Sequence, residues 1–293
     1  MSFNVRGSFH DAGKKNAWRN RADLNIATIE RYAPHVVGLQ EAQRGNLGAY
    51  QKRLRRYAHI RGPRYGNTIP HDFNTILFDP GRLERLDSGG FWISEAPEEY
   101  SRSWETSVAR SATWALFGVT GTELSFLHLN THLDHVSALA RQEGSKLVVR
   151  RVAQISTRAD IDPPTIVTGD FNSRPGNRTH RNFTESGFLD TYLAAGNEDD
   201  DSANTFHAFS GTSYRDAHPE RGPRRIDWIF LRDPKGRLRV ESHRIIHDAD
   251  ENSGLYPSDH YPILAELRIS ARSGFASACQ HFSWSACAWS GPG

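Results

Sequence analysis

Apolar and polar positions along the chain sort into short alternating runs, compact apolar runs and three helical stretches. Phe3 and Val5 alternate with Asn4 and Arg6, as on a short strand. Residues 7–20 are polar and carry glycine, which predicts a loop. Residues 21–32 read as a helix with Leu24, Ala27, Thr28 and the stem of Arg31 turned inward, and Pro34 stops it. Residues 35–39 form a buried-type strand that delivers Gln40-Glu41 at its end, and a second helix is expected over 47–57. Strands follow at 75–78, 90–93, 112–119 and 124–130, separated by glycine, proline and charged turns. The most regular helix spans 136–156, with Leu139, Leu147, Val148, Val152 and Ile155 at helical spacing. Pro163-Pro164 closes that region. Further strands are expected at 165–168, 225–231, 240–246 and 262–269. No repeat and no linker interrupts the pattern, so residues 1–269 read as one domain. Residues 270–293 are rich in Ser, Ala and Trp without period and read as a disordered or atypical tail.

Composition narrows the function classes. Hydrophobic content of 37% is enough for a core, and a net charge of +2 supplies no strong global field for nucleic acid. The two cysteines, Cys279 and Cys287, lie in the tail, so the main fold depends on neither disulfides nor thiolate metal sites. No run is long and apolar enough to span a membrane. The chain opens directly on a strand without a recognisable leader, which points to the cytoplasm, an incomplete N-terminus being the alternative. The acidic run Glu198-Asp199-Asp200-Asp201 reads as a solvated loop. Nothing in the pattern specifies an oligomeric state.

Chemistry-bearing residues concentrate where the apolar runs end. The clusters are Asn4, Gln40-Glu41, Asn130-Thr131-His132-Leu133-Asp134-His135, Gly169-Asp170-Phe171-Asn172 and Ser258-Asp259-His260. Carboxylates, amides and imidazoles without cysteine suit a hard, oxygen-binding cation and a phosphate. Glu41 at a strand end suits Mg²⁺. Asp170 could orient and deprotonate a water or touch the metal, and Asn172 offers an amide to charge developing on a phosphoryl oxygen. The bland alternatives are a solvated glutamate and an Asx-turn. His132 is expected to donate to phosphate, whereas Asp134 and His135 support the structure or line the pocket. Asp259 and His260 are neighbours whose side chains point apart, so each needs a separate partner. Asp227, on a half-buried strand, is the candidate to hold His260 and fix its tautomer. Arg110, just before a strand, could clamp a phosphate.

In order, Asn4-Val5-Arg6, Gly38-Leu39-Gln40-Glu41, Asn130-Thr131-His132, Gly169-Asp170-Phe171-Asn172, Arg225-Ile226-Asp227 and Ser258-Asp259-His260 resemble the motif set of the endonuclease/exonuclease/phosphatase superfamily, from Asn4 to about Ile269. The resemblance implies an α/β fold of four layers, α/β/β/α: two packed mixed β-sheets flanked by helices, with the site at one edge. It implies that Glu41 binds Mg²⁺ or Mn²⁺ with Asn4 nearby and Asp259 helping. Asp170 then positions the attacking water, Asn172 and His132 hold the phosphate, and His260, paired to Asp227, contacts phosphate or assists proton transfer. The division of the base role between Asp170 and His260 stays open. Asn16-Ala17-Trp18, Phe91-Trp92-Ile93-Ser94, Thr113-Trp114 and the His132 cluster look like bacterial members of unknown or sugar-phosphatase-like activity. Arg6 stands where many DNA-repair relatives carry an acid near the metal, which argues for one metal here. His35 replaces a common acid and reads as structural.

Three functions follow as expectations. The first is a divalent-metal-dependent phosphoesterase acting on a mono- or diester of a small molecule, a sugar phosphate or a lipid headgroup. Phe91, Trp92, Trp104 and Trp114 could stack on a sugar or base, although core packing is the commoner use. The second is a nuclease, with a groove built from Arg53, Arg55, Arg56, Arg61 and Arg64, or from Arg174, Arg178 and Arg181. The third is a binding module that has kept the fold, and retention of every expected polar residue argues against it.

Overall fold

The structure is a computed structural model that describes residues 1–63, 74–158, 162–200, 202–218 and 224–270. The tail beyond Ser270 with its two cysteines, Arg64 and Asp201 lie outside the described residues. The first half of the chain runs β1 (Ser2–Asn4), α1 (Trp18–Tyr32), β2 (Val36–Gln40), α2 (Arg44–Arg53), β3 (Ala58–Ile60), β4 (Ile76–Phe78), β5 (Leu83–Trp92), β6 (Ser111–Val119) and β7 (Ser125–His132). There follow α3 (Ala138–Arg158), β8 (Thr165–Asp170), α4 (Arg178–Thr184), β9 (Leu189–Asp190), α5 (Thr191–Ala194), α6 (Ser213–Ala217), β10 (Asp227–Arg232), β11 (Leu238–Ile245) and β12 (Ile263–Ile269).

The strands form two six-stranded sheets, β11-β12-β1-β2-β4-β3 and β5-β6-β7-β8-β10-β9. Each is mixed: β1–β2 and β7–β8 are parallel and their other pairings antiparallel. Three apolar layers hold the stack together. Phe3, Val37 and Leu39 on the outer face of the first sheet pack with Ile26, Ile29, Leu47 and Tyr50 of α1 and α2. Leu127, Leu129, Val167 and Phe230 on the outer face of the second sheet pack with Leu147, Val148, Val152 and Phe183 of α3 and α4. Ile76, Phe117, Phe126, Ile166, Ile229 and Ile263 fill the space between the sheets. This is the four-layer arrangement implied by the motif order.

The period-two rule places the site. On β7, Leu127 and Leu129 face the helices, so Phe126, His128, Asn130 and His132 face the opposite sheet. On β8, Val167 faces the helices, leaving Ile166, Thr168 and Asp170 inward. The inner layer is therefore apolar at one end and polar at the other. Between the two lies a buried network: Gln40 Nε2 donates to Asn130 Oδ1 (2.6 Å) and Ser2 Oγ (3.1 Å), and Asn130 Nδ2 donates to Leu39 O across the sheets (2.8 Å). Gly38 permits this approach, because a Cβ there would meet Thr168 Oγ1 at 2.2 Å and Asn130 Oδ1 at 2.5 Å.

Several expected boundaries move. α2 begins at Arg44 because Gln43 and Asn46 form a capping box, and it ends at Arg53 rather than continuing to 57. Leu54 and Tyr57 are buried at helical spacing but from the turn that follows, so periodicity overran the helix. The buried face of α1 is Arg21, Asn25, Ile26, Thr28 and Ile29, whereas Leu24 and Ala27 are only half-buried. Polar residues on that face hid the stripe. Leu139 is exposed although Leu147, Val148 and Val152 are buried. β5 is longer than 90–93, because an edge strand shows solvent the polar residues that mask it as a loop.

Candidate active site

Sheet register gathers the clusters. Asn4 is level with Gln40 at the ends of β1 and β2, and His132, Asp170 and Asp227 lie abreast on β7, β8 and β10. Glu41 and Asn172 follow their strand ends at φ +58° and +47°, and Arg6 sits at φ +50°. Non-glycine residues in the left-handed region carry strain of about 1–3 kcal/mol each. Here it falls where the chain must turn sharply away from the sheets.

Asn4 links the two sheets at the site. Its Nδ2 donates to Glu41 Oε1 (3.1 Å) and Asp170 Oδ2 (2.9 Å), while its Oδ1 accepts from Arg6 N (3.0 Å). Asn4 thus arranges two carboxylates with its amide nitrogen. Asp170 also accepts from Asn172 N (2.9 Å). Burial, then the charge of Asp227, pushes its carboxyl up to about 7 against the pull of His260. His260 Nδ1 bonds Asp227 Oδ2 at 2.9 Å, and its Nε2 lies 3.7 Å from Asp170 Oδ2. Burial opposes charge on His260, but Asp227 and Asp170 outweigh it and raise the imidazole to about 10.

His132 takes a different protonation state. Burial, then the charges of Arg110, His260 and His135, hold it well below the ordinary imidazole range, so it is neutral. Its Nε2 lies 3.0 Å from Asn172 Nδ2, which also donates to Leu133 O at 3.1 Å. An amide nitrogen has hydrogens and no acceptor capacity, so Nε2 of His132 accepts. The donor role expected for His132 requires Asn172 to turn away.

Arg110 is buried, with Nη2 3.1 Å from His135 Nδ1 and Nε 4.0 Å from Asp134 Oδ2. Asp134 accepts from Thr106, Ser107 and the N–H groups of Val136 and Ser137, which hold it well below the carboxylate range despite burial. It therefore anchors the 104–107 loop to the start of α3. His135 is exposed at the rim. Phe91 and Trp92 are buried, and Trp104 and Trp114 pack on the core that Phe91 belongs to. Arg53 and Arg56 pair with Asp23 and Asp79, and Arg178 and Arg181 share Glu185, which neutralises part of each arginine run.

Sequence reasoning missed some neighbours. Arg6 spans Asp11 (3.1 Å) and Asp259 (3.7 Å), and His10 Nε2 lies 3.8 Å from Glu41. Phe206 forms a bridge with His260 and stands edge-on to its ring at 5.0 Å. Thr205 Oγ1 accepts from Asp227 N (3.1 Å). Arg6 stands in a recognised motif that does not show its partners; His10, Thr205 and Phe206 lie on loops without period, and no local signal marks them.

The donor set fits a hard divalent cation. Asp170, Asp227 and Asp259 are buried and Glu41 is half-buried, against one imidazolium and a guanidinium shared with Asp11. Asp227 Oδ1 has no hydrogen-bond partner among the described residues. Asp170, Asp227 and His260 could also surround an ion, their ligand atoms lying within 4.8 Å of one another. Glu41, joined to Asp170 through the Asn4 amide, adds a hard oxygen donor beside that group.

A family model for the Endonuclease/Exonuclease/phosphatase family matches residues 1–260. The chain belongs to that family. Members of the endonuclease/exonuclease/phosphatase family are hydrolases, generally dependent on a divalent metal, and this chain is a phosphoric ester hydrolase. A mannosyl-6-phosphatase of Bacteroides thetaiotaomicron superposes with a TM-score of 0.79 at 25% identity, covering 92% of this chain and 98% of that one. A family protein from Bacteroides vulgatus gives 0.78 at 28% identity, covering 92% and 97%. D. rerio TDP2 complexed with a single-strand DNA product gives 0.65 at 21% identity, covering 91% and 97%, and shows the fold alone. No curated protein sequence matches the chain. Among the described residues no helix is long and apolar enough to cross a membrane.

Proposed function

We propose that this protein hydrolyses a phosphate ester of a small molecule by water attack, with Mg²⁺ as cofactor, Mn²⁺ as substitute and a sugar phosphate as the first substrate class. The observation that carries the reading is the convergence of Asn4, Glu41, His132, Asp170, Asn172, Asp227, Asp259 and His260 at the polar end of the inner layer, two of the carboxylates joined by one amide. The likeness to a mannosyl-6-phosphatase over most of both chains supports the substrate class.

Glu41 and Asp259 would hold the cation, which would supply positive charge to the phosphoryl oxygens. Asp170, held by Asn4 and the Asn172 N–H, takes a proton from the attacking water, and a carboxyl poised near 7 suits that task. The water oxygen bonds phosphorus as the ester P–O bond breaks. His260, kept protonated by Asp227, gives its proton to the departing alcohol oxygen. Asn172, with His132, contacts the phosphate. Arg110 and His135 stand beside His132 as substrate-binding candidates.

The test is incubation with Mg²⁺ and, side by side, sugar phosphates, lipid-headgroup phosphates, DNA and RNA, with EDTA and Asp170→Asn as blanks. Turnover of small esters alone is the expected result. Cleavage of nucleic acid alone would replace the reading with the nuclease, and activity surviving in Asp170→Asn would remove Asp170 from the mechanism.

A further inference from the structure

Among the described residues Arg21, on α1, makes no hydrogen bond or ion pair to a catalytic side chain, yet its guanidinium holds the backbone of two segments that carry them. Its side chain is fully buried. Nε donates to Asn16 O (2.9 Å), Nη1 to Val5 O (2.8 Å) and Pro257 O (2.9 Å), and Nη2 to Arg6 O. Four backbone carbonyls thus accept from a group with five N–H donors. Among the described residues Arg21 forms no ion pair with a carboxylate. The rings of Trp18 and Phe209 lie 5.1 and 5.5 Å from its central carbon. Asn25, one turn further on, donates to the same Pro257 O (3.1 Å) and accepts from Tyr50 (2.7 Å).

The two segments need such a brace. Asn4 ends β1 and Arg6 follows it, and Asp259 and His260 lie just before β12. The ladder between these strands is pinned at Ser2↔Ile263. Beyond it, Val5 pairs its N–H with Gln40 O on the other side, and Ser258 Oγ reaches Asn4 O at 2.7 Å. Past the last rung, then, a planar fork takes over from the ladder in fixing how far Asn4 stands from Asp259 and His260. Lysine cannot replace it, because an ammonium has three donors at one point and no fork.

We infer that Arg21 is a positioning residue of the hydrolase site, clamping the Val5–Arg6 turn to Pro257 and so setting the geometry of the Asn4–Glu41 and Asp259–His260 halves. The inference rests on the proposed cation site and water-attack mechanism. It also gives a task to the Asn16-Ala17-Trp18 motif, whose asparagine carbonyl and indole enclose the guanidinium.

The test compares wild type with Arg21→Lys and Ile26→Ala, the latter a cavity on the core face of the same helix. Three quantities are read: melting temperature, kcat and KM on the hydrolysed ester, and Mn²⁺ affinity by electron paramagnetic resonance without substrate. Arg21→Lys is expected to lose about 10²-fold in kcat, as misplacement by about 1 Å does, and at least about tenfold in Mn²⁺ affinity, with KM nearly unchanged. Ile26→Ala is expected to lower the melting temperature and leave both other readouts alone. A folded Arg21→Lys with wild-type kcat and Mn²⁺ affinity overturns the clamp, as does equal loss in Ile26→Ala. If Arg21→Lys does not fold, Asn25→Ala carries the test: weakened Mn²⁺ binding beyond that of Ile26→Ala supports the clamp at Pro257, and unchanged binding overturns it. Wild type lacking both hydrolysis and Mn²⁺ binding would fail the functional reading itself, a result separate from any on Arg21.

Discussion

At the scale of single residues, the site divides its two imidazoles by environment. His260 has Asp227 on Nδ1 and Asp170 beyond Nε2, and it stays charged although buried. His132 has Asp170 Oδ2 3.3 Å from its Nε2, but burial, then Arg110, His260 and His135, keeps it neutral. Replacing Asp227 with Asn therefore removes the largest of the charges that keep His260 protonated without emptying the space. The expected result is a fall in kcat of about 10²–10⁴-fold with a smaller change in KM, read by steady-state kinetics on the preferred ester. An unchanged kcat would mean that His260 carries no proton in the rate-limiting step. The adjacency of Asp259 and His260, and the need of each for a different partner, was legible in the sequence. Which nitrogen of His132 accepts was not, because it depends on Leu133 O fixing the amide of Asn172.

At the scale of elements, strand alternation did most of the placing. Once Leu127, Leu129 and Val167 face the helices, His128, Asn130, His132, Thr168 and Asp170 have no choice but the inner layer. The two sheets then approach closely at Gly38, where the Gln40–Asn130 network crosses. Gly38→Ala puts a methyl group onto Thr168 Oγ1 and Asn130 Oδ1, both buried. The expected cost is about 1–3 kcal/mol, read as a lower urea midpoint with unchanged slope. A variant as stable as wild type would show that the sheets can separate there. Helix faces were less legible than strands. Arg21 and Asn25 occupy the buried stripe of α1, so a hydrophobic pattern cannot find it, and they lie there because they bond backbone rather than pack.

At the scale of the whole molecule, buried histidines far from the site make the fold acid-sensitive. Burial holds His128 and His243 down to about 3. Thr191 gives its single hydroxyl hydrogen to Ile229 O (2.8 Å), so His243 Nδ1 donates to that oxygen, and its buried Nε2 has no partner among the described residues, neutral or protonated. A folded value below the unfolded 6.5 means that the unfolded chain binds the proton first. The stabilising contribution is full above about 6.5 and is lost as pH falls toward about 3, at about 1.4 kcal/mol per pH unit for each histidine. His243→Gln is expected to start less stable but to lose less between pH 7 and pH 5, measured by urea midpoints across that range. Equal slopes in variant and wild type would contradict the assignment.

By itself the sequence determined the strand-dominated architecture, the family and the set of polar clusters, because strand alternation and short motifs are local properties that the chain writes in order. It also marked the chemistry as that of oxygen ligands and phosphate, since those residue types exclude soft and redox sites. Only the tertiary structure decided that Asn4 ties Glu41 to Asp170, that Arg6 lies on Asp259, and that Phe206 stands against His260. It alone placed Arg21 between segments about 250 residues apart in sequence. Those pairings depend on how two sheets stack and where their ladders end, and no period along one strand or helix encodes a contact between chain ends.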